Sequence, residues 1–142
     1  MPYISKYHGT SKQIAAEIEV GKIDHSCGGG ELGQGFYLGE MLWVAKAWAH
    51  NRHGKKNSAV VKIEIPDPEF NRLSIELLSR IDALALRTEI KASNSTRTYK
   101  HGYDVLWSPI VGTTRVEADQ YKYESRRSVD MLNGVLCNRS VV

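Results

Sequence analysis

The glycine-rich segment at residues 26–35 limits what this chain can fold into more than any other feature, because five of its ten residues are glycine. Glycine loses more conformational freedom on folding than any other residue, so helices and strands do not tolerate it at this density. The segment is therefore predicted to be a loop, serving either tight turns or close approach of the backbone to a ligand. Regular structure must form on either side of it.

One strand and one helix are predicted on the N-terminal side of this loop. Apolar and polar residues alternate over residues 3–7, which indicates a strand. Thr10 and Gln13 have the spacing of a capping box, so a helix is expected to begin at Thr10. Gly21 is expected to end that helix.

The rest of the sequence predicts more strands and helices without strict alternation. Strands are expected at 36–38, 59–65, 103–107, 120–123 and 134–137, helices at 41–51, 74–91 and 126–132, and a polar loop at 92–100. In the first of these helices, Val44, Ala47 and Trp48 are expected to form the apolar face. The pattern favours an α+β fold, and 142 residues suit a single domain spanning residues 1–142.

Composition argues against several classes of protein. Cys27 and Cys137 are far apart, and no His/Cys cluster has zinc-site spacing, so we expect two reduced thiols and no metal. No apolar segment approaches the roughly 20 residues that span a bilayer, and no secretory signal is recognisable. We therefore expect a cytoplasmic protein without a membrane partner.

Positive charge is mild overall but concentrated in one segment. The net charge is +3, and the densest basic segment, residues 50–56, contains Arg52, Lys55 and Lys56. Such a segment is either a solvated helix end or a contact for an anion, such as a pyrophosphate or nucleic acid. With the aromatic and basic residues at 121–123, it leaves a basic nucleic-acid-binding domain as one alternative.

Three short features could carry chemistry. His8-Gly9-Thr10 ends the first predicted strand, Gly33-Gln34-Gly35-Phe36-Tyr37-Leu38 closes the loop, and Trp48 lies eleven residues after Tyr37. Taken singly, each is an ordinary surface or core feature. The loop lacks the three spaced glycines of a dinucleotide-binding fingerprint and the Gly-Lys-Ser/Thr of a P-loop, so neither of those sites is predicted.

Taken together, these features resemble the ADP-ribosyltransferase fold of the diphtheria-toxin and poly(ADP-ribose) polymerase kind. That family has a His-Gly-Ser/Thr motif at a strand end, a G-x-G-[FI]-Y motif, and an aromatic residue eleven positions later. The chain also resembles the small bacterial DUF3990 family. This similarity rests on Tyr7-His8-Gly9-Thr10, Gly35-Phe36-Tyr37-Leu38 and Ala45-Lys46-Ala47-Trp48-Ala49, and more weakly on residues 102–105, 108–110 and 120–125.

The resemblance implies a particular fold and a particular substrate. The fold would have split mixed and antiparallel β-sheets with flanking helices, and the substrate would be NAD. Tyr37 and Trp48 would hold the cationic nicotinamide ring between two aromatic faces, an attraction worth roughly 0.5–2 kcal/mol for each face. Gly35 and Phe36 belong to the same cofactor-binding motif.

The first motif would hold the neighbouring groups of NAD. The resemblance implies that His8 binds a ribose hydroxyl and that Thr10 assists it. The backbone of Gly9 would hydrogen-bond the carboxamide, since glycine has no Cβ to obstruct a close approach.

The third motif departs from the family pattern. The family usually has a Glu that binds the ribose 2′-hydroxyl and stabilises the developing oxocarbenium ion, whereas this sequence has Gln120. Glu117 and Glu124 are alternative sources of the missing charge. Ala45 is a second departure, because the polymerases carry a Ser there. The missing Glu favours transfer of a single unit and leaves a weak or inactive enzyme open.

Three functions are consistent with these residues. The first is a mono-ADP-ribosyltransferase that moves ADP-ribose from NAD to a protein or nucleic-acid acceptor and releases nicotinamide. Such a domain would suit a toxin with an antitoxin or immunity partner, or a defence effector. The second is a non-catalytic module of the same fold that binds NAD or ADP-ribose. The third is the basic nucleic-acid-binding domain.

Overall fold

The computed structural model describes residues 2–142 and contains seven strands and five α-helices over that range, which confirms the predicted α+β class. Both antiparallel and parallel strand pairs occur. The strands are β1 (Tyr3–Ser11), β2 (Phe36–Gly39), β3 (Ser58–Pro66), β4 (Ile75–Leu77), β5 (Val105–Pro109), β6 (Asp119–Tyr123) and β7 (Asn138–Val141). The helices are α1 (Lys12–Glu19), α2 (Leu42–His53), α3 (Asp67–Asn71), α4 (Arg80–Ala92) and α5 (Arg126–Asn133).

The chain divides into two compact units. The first unit contains the chain up to Ile23, residues 39–72 and residues 130–142. The second unit contains residues 24–38 and 73–129. Each unit thus combines segments that are distant in sequence, and the single domain expected from chain length stays a prediction.

In the first unit, β3 pairs with a strand on each side. It runs antiparallel to β1 along its whole length and antiparallel to β7, with Val61 opposite Val141. Alternate apolar side chains of β3 are buried on one face, and Val60 is buried on the other face, where Lys62 and Glu64 are partly exposed. These buried side chains belong to Val60, Val61, Ile63 and Ile65.

Helix α2 lies very close to β1 in the first unit. A Cβ added at Gly9 would lie only 3.2 Å from the Cβ of Ala49 and would overlap the backbone of Ala45. Because only small side chains fit there, α2 buries Ala45 and Ala49, and its larger apolar residues face elsewhere. The predicted apolar face of this helix is therefore wrong, since Ala47 is exposed and Trp48 is 58% exposed.

In the second unit, β5 pairs with two strands. It runs antiparallel to β6, with Val105 opposite Tyr123, and parallel to β4, with Val105 opposite Ile75. A core cluster forms beside this ladder, and Tyr37 and Leu86 pack against it. The cluster consists of Leu32, Leu78, Ala83, Leu106 and Val111.

Two predicted helix starts are wrong. The first helix begins at Lys12 rather than at Thr10, because Ser11 rather than Thr10 caps it by accepting the Ile14 N–H at 3.2 Å. The helix expected over residues 74–91 begins only after Ser79, whose hydroxyl accepts the Asp82 N–H at 3.1 Å. The preceding residues form β4 instead, because pairing with β5 outweighs a short periodic pattern that fits a helix as well as a strand.

The other predicted boundaries vary in accuracy. The glycine-rich loop, the strands at 36–38, 59–65, 103–107 and 120–123, and the helices at 41–51 and 126–132 are confirmed with small shifts. The strand expected at 134–137 is wrong, since β7 begins at Asn138, and α3 is an unpredicted helix with Pro68 in its first turn. No helix within residues 2–142 has the length and apolar character that a membrane span needs.

Candidate active site

The His8-Gly9-Thr10 motif lies near the end of β1 in the first unit. Its residues are paired with Val61, Val60 and Ala59 of β3, respectively. Side chains alternate along a strand, and Gly9 faces α2, so His8 and Thr10 project to the opposite face. Thr10 is buried and His8 is half-buried. The motif therefore presents backbone towards α2 and polar side chains away from it.

Trp48 occupies an outward position on α2, also in the first unit. The guanidinium carbon of Arg52 lies 5.7 Å from the centre of its indole ring, which is a cation–π arrangement. A cationic nicotinamide ring cannot use the face that Arg52 covers. The stacking role that the resemblance implies for Trp48 is therefore confined to the other face of the indole.

Tyr37 closes the glycine-rich loop in the second unit. Its hydroxyl donates to the carbonyl of Gly33 at 2.6 Å and accepts the backbone N–H of Leu32 at 3.0 Å. Gly30 lies against the ring, since a Cβ there would be 2.9 Å from the Cζ of Tyr37. Burial raises the pKa of Tyr37 well above its usual range, so the phenol stays neutral and keeps its donor. Tyr37 thus orders the loop by packing and by two hydrogen bonds.

The remaining residues of the second motif are also tightly enclosed. A side chain at Gly35 would meet Lys122, because a Cβ there would be 2.6 Å from the Cγ of the lysine. Phe36 is buried. Gly33 has a φ of +96°, a left-handed conformation that favours glycine. The glycines of this motif are therefore required by close contacts and by backbone conformation.

Gln120 is held by a carboxylate from the glycine-rich loop. Its Nε2 donates to the carboxylate of Glu31 and, at 3.3 Å, to the carbonyl of Pro109. Both neighbours are acceptors, so the amide must present its nitrogen to them. The carbonyl oxygen of Gln120 has no donor among the described residues, so this 8% exposed side chain keeps one acceptor.

Glu31 has further partners besides Gln120. Its Oε1 accepts the backbone N–H of Val111 at 2.9 Å, and its Oε2 lies 3.6 Å from Nε of Arg87. Arg87 and Gln120 are therefore both side-chain partners of Glu31. Arg87 offsets part of the negative charge, and both carboxylate oxygens are oriented by their partners.

Tyr37 and Gln120 share one face of the second unit. Gln120 and Lys122 are two residues apart on β6, so they project from the same face. Leu106 is paired with Lys122 and so shares that face, and Tyr37 packs against the core cluster that contains Leu106, so Tyr37 lies on that face as well. The structure therefore brings these two predicted site residues to one side of the sheet.

The two alternative carboxylates of the third motif differ from Glu31. Glu124 is buried and accepts the backbone N–H groups of His101 at 2.8 Å and Gly102 at 3.3 Å, and it pairs with Lys122 at 3.3 Å. The carboxylate of Glu124 therefore fixes the backbone of the loop at 101–102. Glu117 is exposed. Sequence analysis missed Glu31, although it is the only acidic residue in the glycine-rich segment, which is a usable signal.

A second polar cleft in this unit has a volume of about 250 Å³ and is lined by residues that include Ser74, Asp104 and Ser125. Ser125 donates to Asp104 at 2.5 Å, and Asp104 accepts the Ser74 N–H at 2.8 Å. Burial alone would raise the pKa of Asp104, but these hydrogen bonds outweigh it and hold the pKa below its usual value. The polar groups of this cleft hydrogen-bond to one another, and its lining contains no histidine that could act as a base for Ser125.

Within residues 2–142, no group of three His, Cys, Asp or Glu side chains is placed to hold a metal ion. Cys27 is exposed and Cys137 is buried, and both are free thiols, as expected. A scan of the chain against protein-family models finds no match, and a search of curated proteins finds none either. Functional assignment therefore depends on the motifs and on the geometry of these side chains.

Proposed function

We propose that this protein is an ADP-ribosyltransferase that cleaves NAD and transfers one ADP-ribose unit to a macromolecule. The observation that carries the proposal is the hydrogen bond between Glu31 and Gln120, on the face of the second unit that also carries Tyr37. An aromatic ring, an amide acceptor and a carboxylate are the three groups that a nicotinamide riboside needs from such a site.

The reaction needs stabilisation of positive charge at the ribose. The C1′–N bond of NAD breaks, nicotinamide leaves with the bonding electron pair, and an oxygen or nitrogen of the acceptor forms the new bond to C1′. The acceptor's proton is released to solvent. Because C1′ becomes cationic before the new bond is complete, oriented acceptors and negative charge near the ribose lower the barrier.

Gln120 and Glu31 divide the task that one glutamate performs in the family. The free carbonyl oxygen of Gln120 accepts a ribose hydroxyl, and the carboxylate of Glu31 supplies negative charge behind it. Arg87, 3.6 Å from that carboxylate, weakens the field at the ribose. We therefore propose a slow enzyme that transfers single units.

The resemblance assigns further contacts with NAD to the first motif. In the proposal, His8 binds a ribose hydroxyl with help from Thr10, and the backbone of Gly9 binds the carboxamide. The resemblance gives both Tyr37 and Trp48 the role of contacting a nicotinamide ring. The spacing of these residues in the sequence supports these roles, and the hydrogen bonds of Tyr37 hold its ring in a fixed position. A toxin or defence role in the cytoplasm, with an antitoxin or immunity partner, rests on the resemblance alone.

The test is release of nicotinamide and transfer of label when the pure chain is incubated with labelled NAD and a cell lysate. We expect the natural chain to do both and Gln120→Ala to lose at least tenfold in rate, since one oriented acceptor is worth a factor of about 10²–10³ in the best cases. Gln13→Ala, at an exposed position on α1, is the matched control and should keep full activity. Equal rates in both variants would contradict the assignment of Gln120.

A non-catalytic module that binds NAD or ADP-ribose is the second candidate. The observation that favours it is the pairing of Glu31 with Arg87, which leaves the site nearly neutral. This candidate predicts saturable NAD binding by calorimetry with no nicotinamide release. If binding and release both occur, the enzyme is supported and the module is excluded.

A further inference from the structure

Helix α2 turns its bulky apolar side chains outward. Its buried residues are Ala45 and Ala49, while Trp43 is 54% exposed. The close approach at Gly9 explains why small residues face inward. It does not explain an exposed indole at Trp43, where a polar residue would serve a solvated helix better. Exposed aromatic surface of this kind often marks a binding site.

The same segment concentrates the positive charge of the chain. Residues 41–58 contain four Lys or Arg residues and no Asp or Glu, so this segment carries more positive charge than the net +3 of the whole chain. Cations in the last turn of a helix stabilise its dipole, which accounts for Arg52. Lys46 lies in the middle of α2, and Lys55 and Lys56 lie beyond its end, so the dipole does not account for these three.

A groove lies at the N-terminal end of α2. Its volume is about 420 Å³, and Tyr7, Met41, Leu42 and Trp43 provide its apolar lining, with Lys46 and Glu40 beside them. That volume falls in the range of small-molecule sites, and aromatic and thioether side chains suit a flat ring. Lys46 places a cation next to this apolar lining.

We propose that the outward face of α2 binds single-stranded nucleic acid. One base stacks on Trp43 in the groove, and the phosphates follow Lys46, Lys55 and Lys56. Sequence-tolerant single-strand binders combine these two elements, aromatic platforms for bases and a basic track for the backbone. An unpaired base is needed, because stacked and paired bases do not expose their faces to a side chain. An acidic protein segment would use the lysines but not the aromatic groove.

We infer further that single-stranded nucleic acid is the acceptor of ADP-ribose, an inference that rests on the proposed function. In that reaction an oxygen or nitrogen of a base or terminal phosphate of the strand attacks C1′ of NAD. The C1′–N bond to nicotinamide breaks, the new bond to the strand forms, and the strand loses one proton. Binding of the strand itself does not depend on NAD.

The test measures anisotropy of a labelled single-stranded 12-nucleotide probe with the full chain, in the absence of NAD. We expect Trp43→Ala to weaken binding about tenfold, and Trp43→Phe, which keeps a stacking ring, to stay within about twofold. The double variant Lys55→Gln/Lys56→Gln should reduce the slope of log affinity against log salt concentration by about 1.4, at roughly 0.7 per phosphate contact.

The double variant Lys22→Gln/Lys91→Gln is the charge-matched control, because both lysines are exposed outside this surface. It should leave affinity and salt slope unchanged. The proposal is overturned if the chain does not bind the probe in low salt, if the control weakens binding equally, or if polyglutamate binds as tightly. Nicotinamide release without nucleic acid is measured on the same variants. In the natural chain, absence of probe binding with intact nicotinamide release overturns this inference alone, and probe binding without release overturns the proposed function alone.

Discussion

The predicted site in the second unit and the outward face of α2 in the first unit use their aromatic and polar groups in opposite ways. Tyr37 and Gln120 are packed, and their polar atoms bond to the loop and to Glu31. Trp43 and Lys46 project from a helix whose packing uses alanines. Pre-oriented groups suit chemistry on a small substrate, whereas exposed stacking and cationic groups suit docking of a flexible polyanion.

The largest expected difference between the two regions is in the effect of aromatic deletion on stability. Tyr37→Ala removes a packed ring and two hydrogen bonds, so we expect a loss of about 3–5 kcal/mol in the free energy of unfolding. Trp48→Ala removes an exposed indole and should cost less than about 0.5 kcal/mol. Urea denaturation measures both. Similar losses for the two variants would contradict the contrast.

The close packing of α2 on β1 gives the next largest effect. Gly9→Ala introduces a Cβ that overlaps Ala45, so we expect a loss of about 1–3 kcal/mol and a shift in tryptophan fluorescence. Gly39→Ala is the control, because its new Cβ would meet only the Tyr7 carbonyl oxygen, at 3.9 Å. If Gly9→Ala were as stable as the control, the close contact between α2 and β1 at Gly9 would be contradicted.

A smaller effect concerns the cation over Trp48. Arg52→Gln uncovers the indole face that the guanidinium occupies and removes a cation from the ring, so the KM for NAD should fall about two- to fivefold, corresponding to roughly 0.5–1 kcal/mol. The kcat should not change. Arg80→Gln, at an exposed position on α4, provides the control. A KM that rises or stays constant in Arg52→Gln would argue that Trp48 does not contact nicotinamide.

The smallest effect is a pH dependence from Lys122. Burial lowers the pKa of Lys122, although the neighbouring Glu124 opposes that shift. The folded chain therefore releases this proton at a lower pH than the unfolded chain, so stability rises with pH between the lowered pKa and the ordinary value of 10.5. Relative to Lys122→Met, the natural chain should gain free energy of unfolding across that window. If this difference in free energy of unfolding fell with pH instead, folding would raise the pKa of Lys122 rather than lower it.

The sequence predicts well those features that are set by local patterns. Glycine density identifies the loop at 26–35, and short strands are recognisable at 59–65 and 120–123. The face of α2 could not be predicted, because the space available to it depends on Gly9 in another strand. Helical periodicity alone places Trp48 on the apolar side, whereas the missing Cβ of a distant residue selects alanines.

In the candidate site as well, local sequence patterns predict some features, whereas others depend on tertiary structure. The motif at residues 33–38 pointed to Tyr37, but its role in closing the loop is visible only from the hydrogen bonds to Leu32 and Gly33. Glu31 carries a local signal as the one carboxylate of the glycine-rich segment, but its pairing with Gln120, 89 residues away, could not be predicted from the sequence. Pairings over such separations depend on tertiary structure and leave no local signal.

The central claim is that NAD is held on the face of the second unit that carries Tyr37 and Gln120. The most direct measurement is an NMR titration of the isotope-labelled chain with NAD, following the side-chain amide of Gln120 and the backbone amide of Leu32. Both signals should shift together and saturate, and the side-chain amide of Gln13 should not move. Saturable shifts elsewhere, with Gln120 and Leu32 unchanged, would contradict the claim.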